Sequence, residues 1–173
     1  MKTRIAAVVL ALTACGCALL AEDEDNLIKD PDFKELNKTW RMNAGSTVKN
    51  GIATVPLTTP RKKDPNTFTA SVVQSVSGIK PGKYEFSGYY KGEFKNLFIV
   101  LRGYTQDRKA VNIILKWLYR KNFVKAGDKP GWFKFFYVGT VPAGVVRASI
   151  HIEPWGSKDQ TMQLTGLELA EAE

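Results

Sequence analysis

Residues 83–91 alternate strictly between two sets of side chains. Tyr84, Phe86, Gly88 and Tyr90 form one set, and Glu85, Ser87, Tyr89 and Lys91 form the other. A period of two marks an extended strand with one buried and one wet face. Upstream, Gln74 to Gly78 reads as the end of another strand, and Pro81-Gly82 supplies the turn between them. Pro presets φ there, and Gly tolerates positive φ. Further strands are predicted over 27–29, 39–43, 52–57, 67–76, 97–104, 111–119, 132–138, 145–152 and 162–169. Turn chemistry separates them at Asn50-Gly51, Thr59-Pro60, Asp64-Pro65-Asn66, Asp128-Lys129-Pro130-Gly131, Pro142-Ala143-Gly144 and Pro154-Trp155-Gly156. No stretch keeps a helical period over about ten residues, so the pattern predicts an all-β, jelly-roll β-sandwich of two antiparallel sheets.

The alternation also assigns faces. In 97–104, Leu97, Ile99 and Leu101 form the inward set, and Phe98, Val100, Arg102 and Tyr104 lie opposite. In 111–119, Val111, Ile113, Leu115 and Trp117 are expected to look inward, with Asn112 and Lys116 marking the polar set. In 145–152, Val146, Ala148, Ile150 and Ile152 are expected inward, and Arg147, Ser149 and His151 outward. These assignments hold only where no bulge interrupts the strand.

Composition bounds the picture. The 173 residues suit one domain with a substantial core, and 44% hydrophobic with 24% charged residues is ordinary for a globular chain. Residues 1–21 read as an export signal: Lys2 and Arg4 form a basic head before an apolar run. Two exits are open. Cleavage after Ala21 would release the chain at Glu22. Alternatively Leu12-Thr13-Ala14-Cys15 matches a bacterial lipobox, which implies loss of 1–14 and lipidation of Cys15. Residues 22–25 are four consecutive acids and read as a spacer, leaving 26–173 as the sandwich. The expected location is therefore exported: secreted, periplasmic or lipid-anchored at the cell envelope, with membrane anchoring through Cys15 in the last case. Both cysteines, Cys15 and Cys17, fall in the signal, so the domain has no disulfide, thiolate nucleophile or Cys-held metal. The chain carries a net charge of +8. Such a balance suits anionic partners. However, its basic residues are scattered, with Arg61-Lys62-Lys63 the one dense cluster, and nucleic acid is not an expected partner.

Catalytic patterns are missing. No His-Glu-x-x-His, Gly-x-Ser-x-Gly, phosphate loop or Cys-x-x-Cys occurs. His151, the one histidine, sits two residues from Ser149 with no orienting third group in view. An enzyme is not expected, and neither a cofactor nor a metal.

The order of short motifs resembles the bacterial carbohydrate-binding modules of families 4 and 9, the CenC-type β-sandwiches. Asn26-Leu27-Ile28-Lys29-Asp30-Pro31-Asp32-Phe33-Lys34 followed by Trp40 stands where that family opens. Gln74, Val76, Gly78, Ile79, Pro81, Gly82, Tyr84, Phe86 and Ser87 follow its central pattern. Gly131, Trp132, Phe135 and Val141-Pro142-Ala143 come later, and Leu164 to Leu169 close the domain. The resemblance spans 26–170 and implies a galactose-binding-like jelly roll that recognises sugar. It also implies a structural calcium, but Lys34 and Thr165 stand where two family carboxylates are expected. Calcium affinity depends on charged oxygen ligands, so the exchange argues against that ion.

Sugar recognition needs flat rings to cover pyranose faces and planar polar groups for hydroxyls. Tyr89, Arg102, Tyr104, His151 and Glu153 are expected on wet positions, and Trp155 in a loop; these are the candidate carbohydrate-binding residues. Trp40, Trp117 and Trp132 are expected in the core. The expected function is non-catalytic binding of a polysaccharide or glycan. The alternative is an envelope sandwich that docks a protein partner, whose identity the sequence leaves unknown.

Overall fold

The computed structural model describes residues 26–34 and 38–172. The expected signal, Cys15 and the acidic run 22–25 lie outside these residues. In chain order the strands are β1 (Trp40–Met42), β2 (Thr47–Lys49), β3 (Ile52–Pro56), β4 (Thr59–Arg61), β5 (Asp64–Thr69), β6 (Val72–Val76), β7 (Gly82–Gly92), β8 (Asn96–Thr105), β9 (Ala110–Tyr119), β10 (Val124–Lys125), β11 (Phe133–Val141), β12 (Val145–Gly156) and β13 (Thr161–Glu171). All pairings are antiparallel and form two sheets. Sheet one is built on β12, which takes β8 and then β9 on one side, and β6-β1 and β5-β4 on the other. Sheet two runs β10-β11-β7-β13-β3-β2. The chain is an all-β sandwich of two antiparallel sheets.

The alternating strand behaves as its pattern requires. Tyr84, Phe86, Gly88 and Tyr90 of β7 are buried between the sheets. They meet Phe135 and Leu167 of their own sheet and the Leu97, Ile99, Leu101, Ile150 and Ile152 layer of sheet one. Gly88 is the close-approach point of this layer. A Cβ there would lie 2.5 Å from Leu167 Cδ2. Tyr90 is ringed by Phe133 at 5.5 Å and Phe123 at 5.1 Å. Its buried hydroxyl finds no hydrogen-bond partner among the described residues, and burial pushes its ionisation upward.

Several expectations are corrected. Residues 27–29 form no ladder; instead Leu27 N donates to Leu169 O at 2.8 Å, and Asn26 clamps Leu167 and Leu169. Residues 64–66 are not a turn but the start of β5, which pairs with β4 across Lys62-Lys63. Pro65 is tolerated there because this end of the strand is exposed. The predicted strand 67–76 breaks at Ala70-Ser71. Ala70 faces Pro154, which accepts from Ala70 N at 3.4 Å but has no N–H to return. The Thr69 hydroxyl lies 3.1 Å from the carbonyl of Ala70 left over. Trp155 therefore sits on β12 rather than in a loop.

Two bulges overturn face assignments. Leu101 pairs with Ile114 but Arg102 with Asn112, so Ile113 is an extra residue. Beyond it the phase of β9 reverses: Ile114 is buried, Leu115 is 50% exposed, and Trp117 turns to the wet face. Likewise Val146 is the extra residue between Val145 and Arg147, so Val145 is buried and Val146 is 58% exposed.

Candidate functional site

The outer face of sheet one can be read as rows from the strand register. Arg147, Tyr104 and Ala110 form the first row, and Ser75, Ser149, Arg102 and Asn112 the second. Arg41, Val73, His151, Val100 and Leu115 form the third. Glu153, Phe98 and Trp117 form the fourth, and Thr69, Trp155, Asn96 and Tyr119 the fifth. Successive rows stand about 7 Å apart, two residues of strand rise.

The lower rows carry the rings. Trp117 lies 4.2 Å from Trp155, edge to face, and 5.2 Å from Phe98. Trp155 is held on two more sides. Its Nε1 donates to Glu153 Oε1 at 2.6 Å, and the Arg61 guanidinium stacks 3.1 Å from its ring centroid. Thr69 places its hydroxyl 3.1 Å from the same Glu153 oxygen. Trp155 is thus fixed from several sides, and Trp117, partly buried like Trp155 itself, packs on it at the outer face.

The upper rows carry the polar groups. Arg102 Nε donates to Asn112 Oδ1 at 3.1 Å, which fixes the fork; its other guanidinium donors make no hydrogen bond among the described residues. Arg147 stacks 4.8 Å above the Tyr104 ring. Ser149 Oγ and His151 Nε2 are 2.9 Å apart, and Tyr104 Oη is 3.5 Å from Ser149. Partial burial, with Arg102 and Arg41 nearby, holds the His151 pKa below its ordinary value; Glu153 opposes them. Among the described residues no carboxylate hydrogen-bonds the other nitrogen of His151, and Glu153 is committed to Trp155 and Thr69. The Ser149–His151 contact therefore lacks the orienting acid of a nucleophilic triad.

Five of the six residues named from sequence come together here: Arg102, Tyr104, His151, Glu153 and Trp155. Tyr89 does not. It sits on β7 in sheet two, where its hydroxyl donates to Asp128 and Lys129 lies 5.2 Å over its ring. Trp40 is buried as expected, with Phe33 at 5.0 Å and its Nε1 donating to Asp30 O. Trp132 is buried, yet outside the central core, under Lys129 at 4.8 Å. Trp117, Phe98, Asn112, Arg41 and Arg61 escaped the sequence reading of the site. The only mark left by the bulge that exposes Trp117 is the doublet Ile113-Ile114.

A separate hollow is lined by Asp32, Lys34, Val48, Asn50, Gly51 and Thr165. It holds both positions where the family resemblance implies calcium ligands. Lys34 Nζ approaches Asp32 Oδ2 at 3.7 Å, and Thr165 donates its hydroxyl proton to Gly51 O at 2.8 Å. An ammonium beside the lone carboxylate and a carbonyl already engaged do not fit a cation that wants charged oxygens.

No protein-family model matches the chain, and no curated protein matches it in sequence. Solved structures match in fold. The enzymatically active domain of bacteriophage CBA120 tailspike protein 4 superposes with a TM-score of 0.55 at 16% identity, over 85% of this chain and 21% of that one. The chain thus spans about a fifth of the tailspike protein's length. The module TmCBM61, solved with β-1,4-galactotriose, gives 0.55 at 14% identity, over 85% of this chain and 99% of that one. A CBM4 structure gives 0.53 at 12% identity, over 86% and 92%. The fold is that of carbohydrate-binding-module β-sandwiches.

Proposed function

We propose that this chain is a non-catalytic, exported carbohydrate-binding protein that grips a glycan across the outer face of sheet one. The observation that carries the reading is the ring cluster of Trp117, Trp155 and Phe98, set beside a row of fixed hydrogen-bonding groups, Arg102, Asn112, Ser149 and His151. Rings supply contact area at low entropic cost, and the polar row supplies donors and acceptors whose geometry is set before ligand arrives. The shared fold of the modules above is consistent with this use, although a fold does not by itself fix a function.

Isothermal titration with soluble oligosaccharides tests it. Trp117→Ala should weaken binding about tenfold or more, as expected for a central aromatic anchor. Trp155→Ala should do the same by removing the support of Trp117. Absence of binding to any glycan would sink the proposal. A second reading is favoured by a different observation. Phe136 and Val138, each 51% exposed, and Val124, 66% exposed, lie on the outer side of sheet two. That apolar strip suits a protein partner, and its use would survive the failure of the sugar reading.

A further inference from the structure

Some basic residues that are far apart in sequence meet in space. Arg41, Arg102 and Arg147 occupy three successive rows of the outer face of sheet one, on β1, β8 and β12. The residues that the register places in those three rows include no carboxylate; Glu153 stands in the next row and is already bound by Trp155 and Thr69. Among the described residues none of the three arginines makes an ion pair; Arg102 is held by a neutral amide and Arg147 by a ring.

The cationic face continues into a hollow at its β1–β6 edge, lined by Lys29, Lys38, Thr39, Arg41, Val73, Gln74 and Ser75. This edge is built. Gln74 is 2% exposed, and its amide clamps the backbone of Lys29 with both atoms. Nε2 donates to Lys29 O at 2.6 Å, and Lys29 N donates to Oε1 at 3.0 Å. The nearby acid, Asp30, accepts from Lys34 N at 2.6 Å and has Thr39 Oγ1 at 3.5 Å.

We infer that the glycan this face takes is anionic, a uronate- or sulfate-bearing polysaccharide whose charged groups sit against Arg41, Arg102, Arg147 and Lys29. The inference rests on the carbohydrate reading above and narrows its substrate class. Guanidinium forks match carboxylate and sulfate oxygens with paired donors, and an uncompensated row of them is unfavourable unless an anion or water faces it. A neutral glycan would need the rings and hydroxyl partners but would leave this row unused.

Affinity electrophoresis of the full chain separates the possibilities with matched polymers. Polygalacturonate is compared with its fully methyl-esterified form, and dextran sulfate with dextran; the two pairs distinguish carboxylate from sulfate. The expected result is retardation by the charged member of one pair at least tenfold stronger than by its neutral twin, weakening as salt rises. The double variant Arg41→Gln/Arg102→Gln should lose that preference about tenfold. The double variant Lys83→Gln/Lys125→Gln, which removes the same charge from sheet two, should stay within about twofold of wild type. Urea midpoints confirm that both variants fold.

Equal retardation by both members of each pair overturns the inference but leaves the carbohydrate reading standing. Equal losses in the two double variants also overturn it, since the effect is then bulk charge. Stronger, arginine-dependent retardation by single-stranded DNA assigns the face to nucleic acid instead. No retardation by any polymer, with no oligosaccharide binding in titration, removes both readings together.

Discussion

The two outer faces of this sandwich are made from the same kinds of residue and end in opposite states. Sheet two carries Tyr89 and Lys134, with Lys129 and Trp132 from the adjoining β10–β11 connection; sheet one carries Trp117, Trp155, Arg102 and Arg147. On sheet two the parts satisfy one another. Lys129 covers both Tyr89 and Trp132, and Asp128 accepts a hydrogen bond from the Tyr89 hydroxyl. That bond raises the Tyr89 pKa and lowers that of Asp128. The turn 128–131 thus roofs its own tryptophan. On sheet one, among the described residues, Arg102 and Arg147 form no ion pair and are held instead by the Asn112 amide and the Tyr104 ring. The difference lies in the partners: an acid meets the sheet-two cluster, whereas the sheet-one arginines are held by a neutral amide and a ring.

The largest test of this contrast is a pair of truncations. Trp132→Ala should lower stability by about 3 kcal/mol, as a buried Trp truncation does, while glycan affinity in the folded protein stays unchanged. Trp117→Ala should do the reverse, losing about tenfold or more in affinity with a smaller fall in the urea midpoint. If Trp132→Ala leaves the urea midpoint in place, the roofed ring is not structural and the contrast fails.

Next in size is the buried Tyr90 hydroxyl. It has no partner among the described residues, and an unmet buried polar group costs about 1–3 kcal/mol. Tyr90→Phe should therefore stabilise the domain by about 1 kcal/mol. Chemical denaturation reads this directly, and a destabilised variant would mean that the hydroxyl is satisfied.

A smaller effect is expected from His151. Burial, then Arg102 and Arg41, hold its folded pKa below the ordinary 6.5, against Glu153. Below 6.5 the unfolded chain then binds more protons than the folded one. The His151 contribution is thus fully present above 6.5 and is lost as pH falls through the folded value. His151→Gln should flatten the decline of the urea midpoint in that window. The lowered carboxylates Asp64, Asp107 and Asp128 act separately, below 3.8. An unchanged slope in His151→Gln would assign the decline to other groups.

The smallest expected effect sharpens the comparison most. Tyr89→Ala should change glycan affinity less than twofold, since Tyr89 lies on the other sheet from Trp117. A tenfold loss would put the ligand on sheet two and reverse the assignment of faces.

Most strands, the sandwich class and five residues of the candidate face were legible in the chain. Period-two alternation in 83–90 and 97–104 survives folding because nothing interrupts those strands. Trp117 was misread because one extra residue, Ile113, inverts every position after it while leaving the composition of β9 unchanged. Trp155 was misread as a loop residue because Pro154 and Gly156 flank it. Within β12 the missing donor of Pro154 falls opposite the break between β5 and β6, where the ladder is already open. Tyr89 was misplaced for a plainer reason. Alternation says that a side chain points out of its sheet but not which of the two sheets it belongs to.

By itself, then, the sequence determined the period-two alternation, the turns at Asn50-Gly51, 128–131 and Pro142-Ala143-Gly144, and the burial of Tyr84, Phe86 and Trp40. All of these are local properties, written in neighbouring residues. The gathering of Arg41, Arg102 and Arg147 on one face was decided only by the tertiary structure, as was the propping of Trp117 by Trp155 and Arg61. Those contacts join β1, β4, β8, β9 and β12, strands far apart in the chain. Their meeting depends on strand order and register, which cross-strand packing sets and local pattern does not encode.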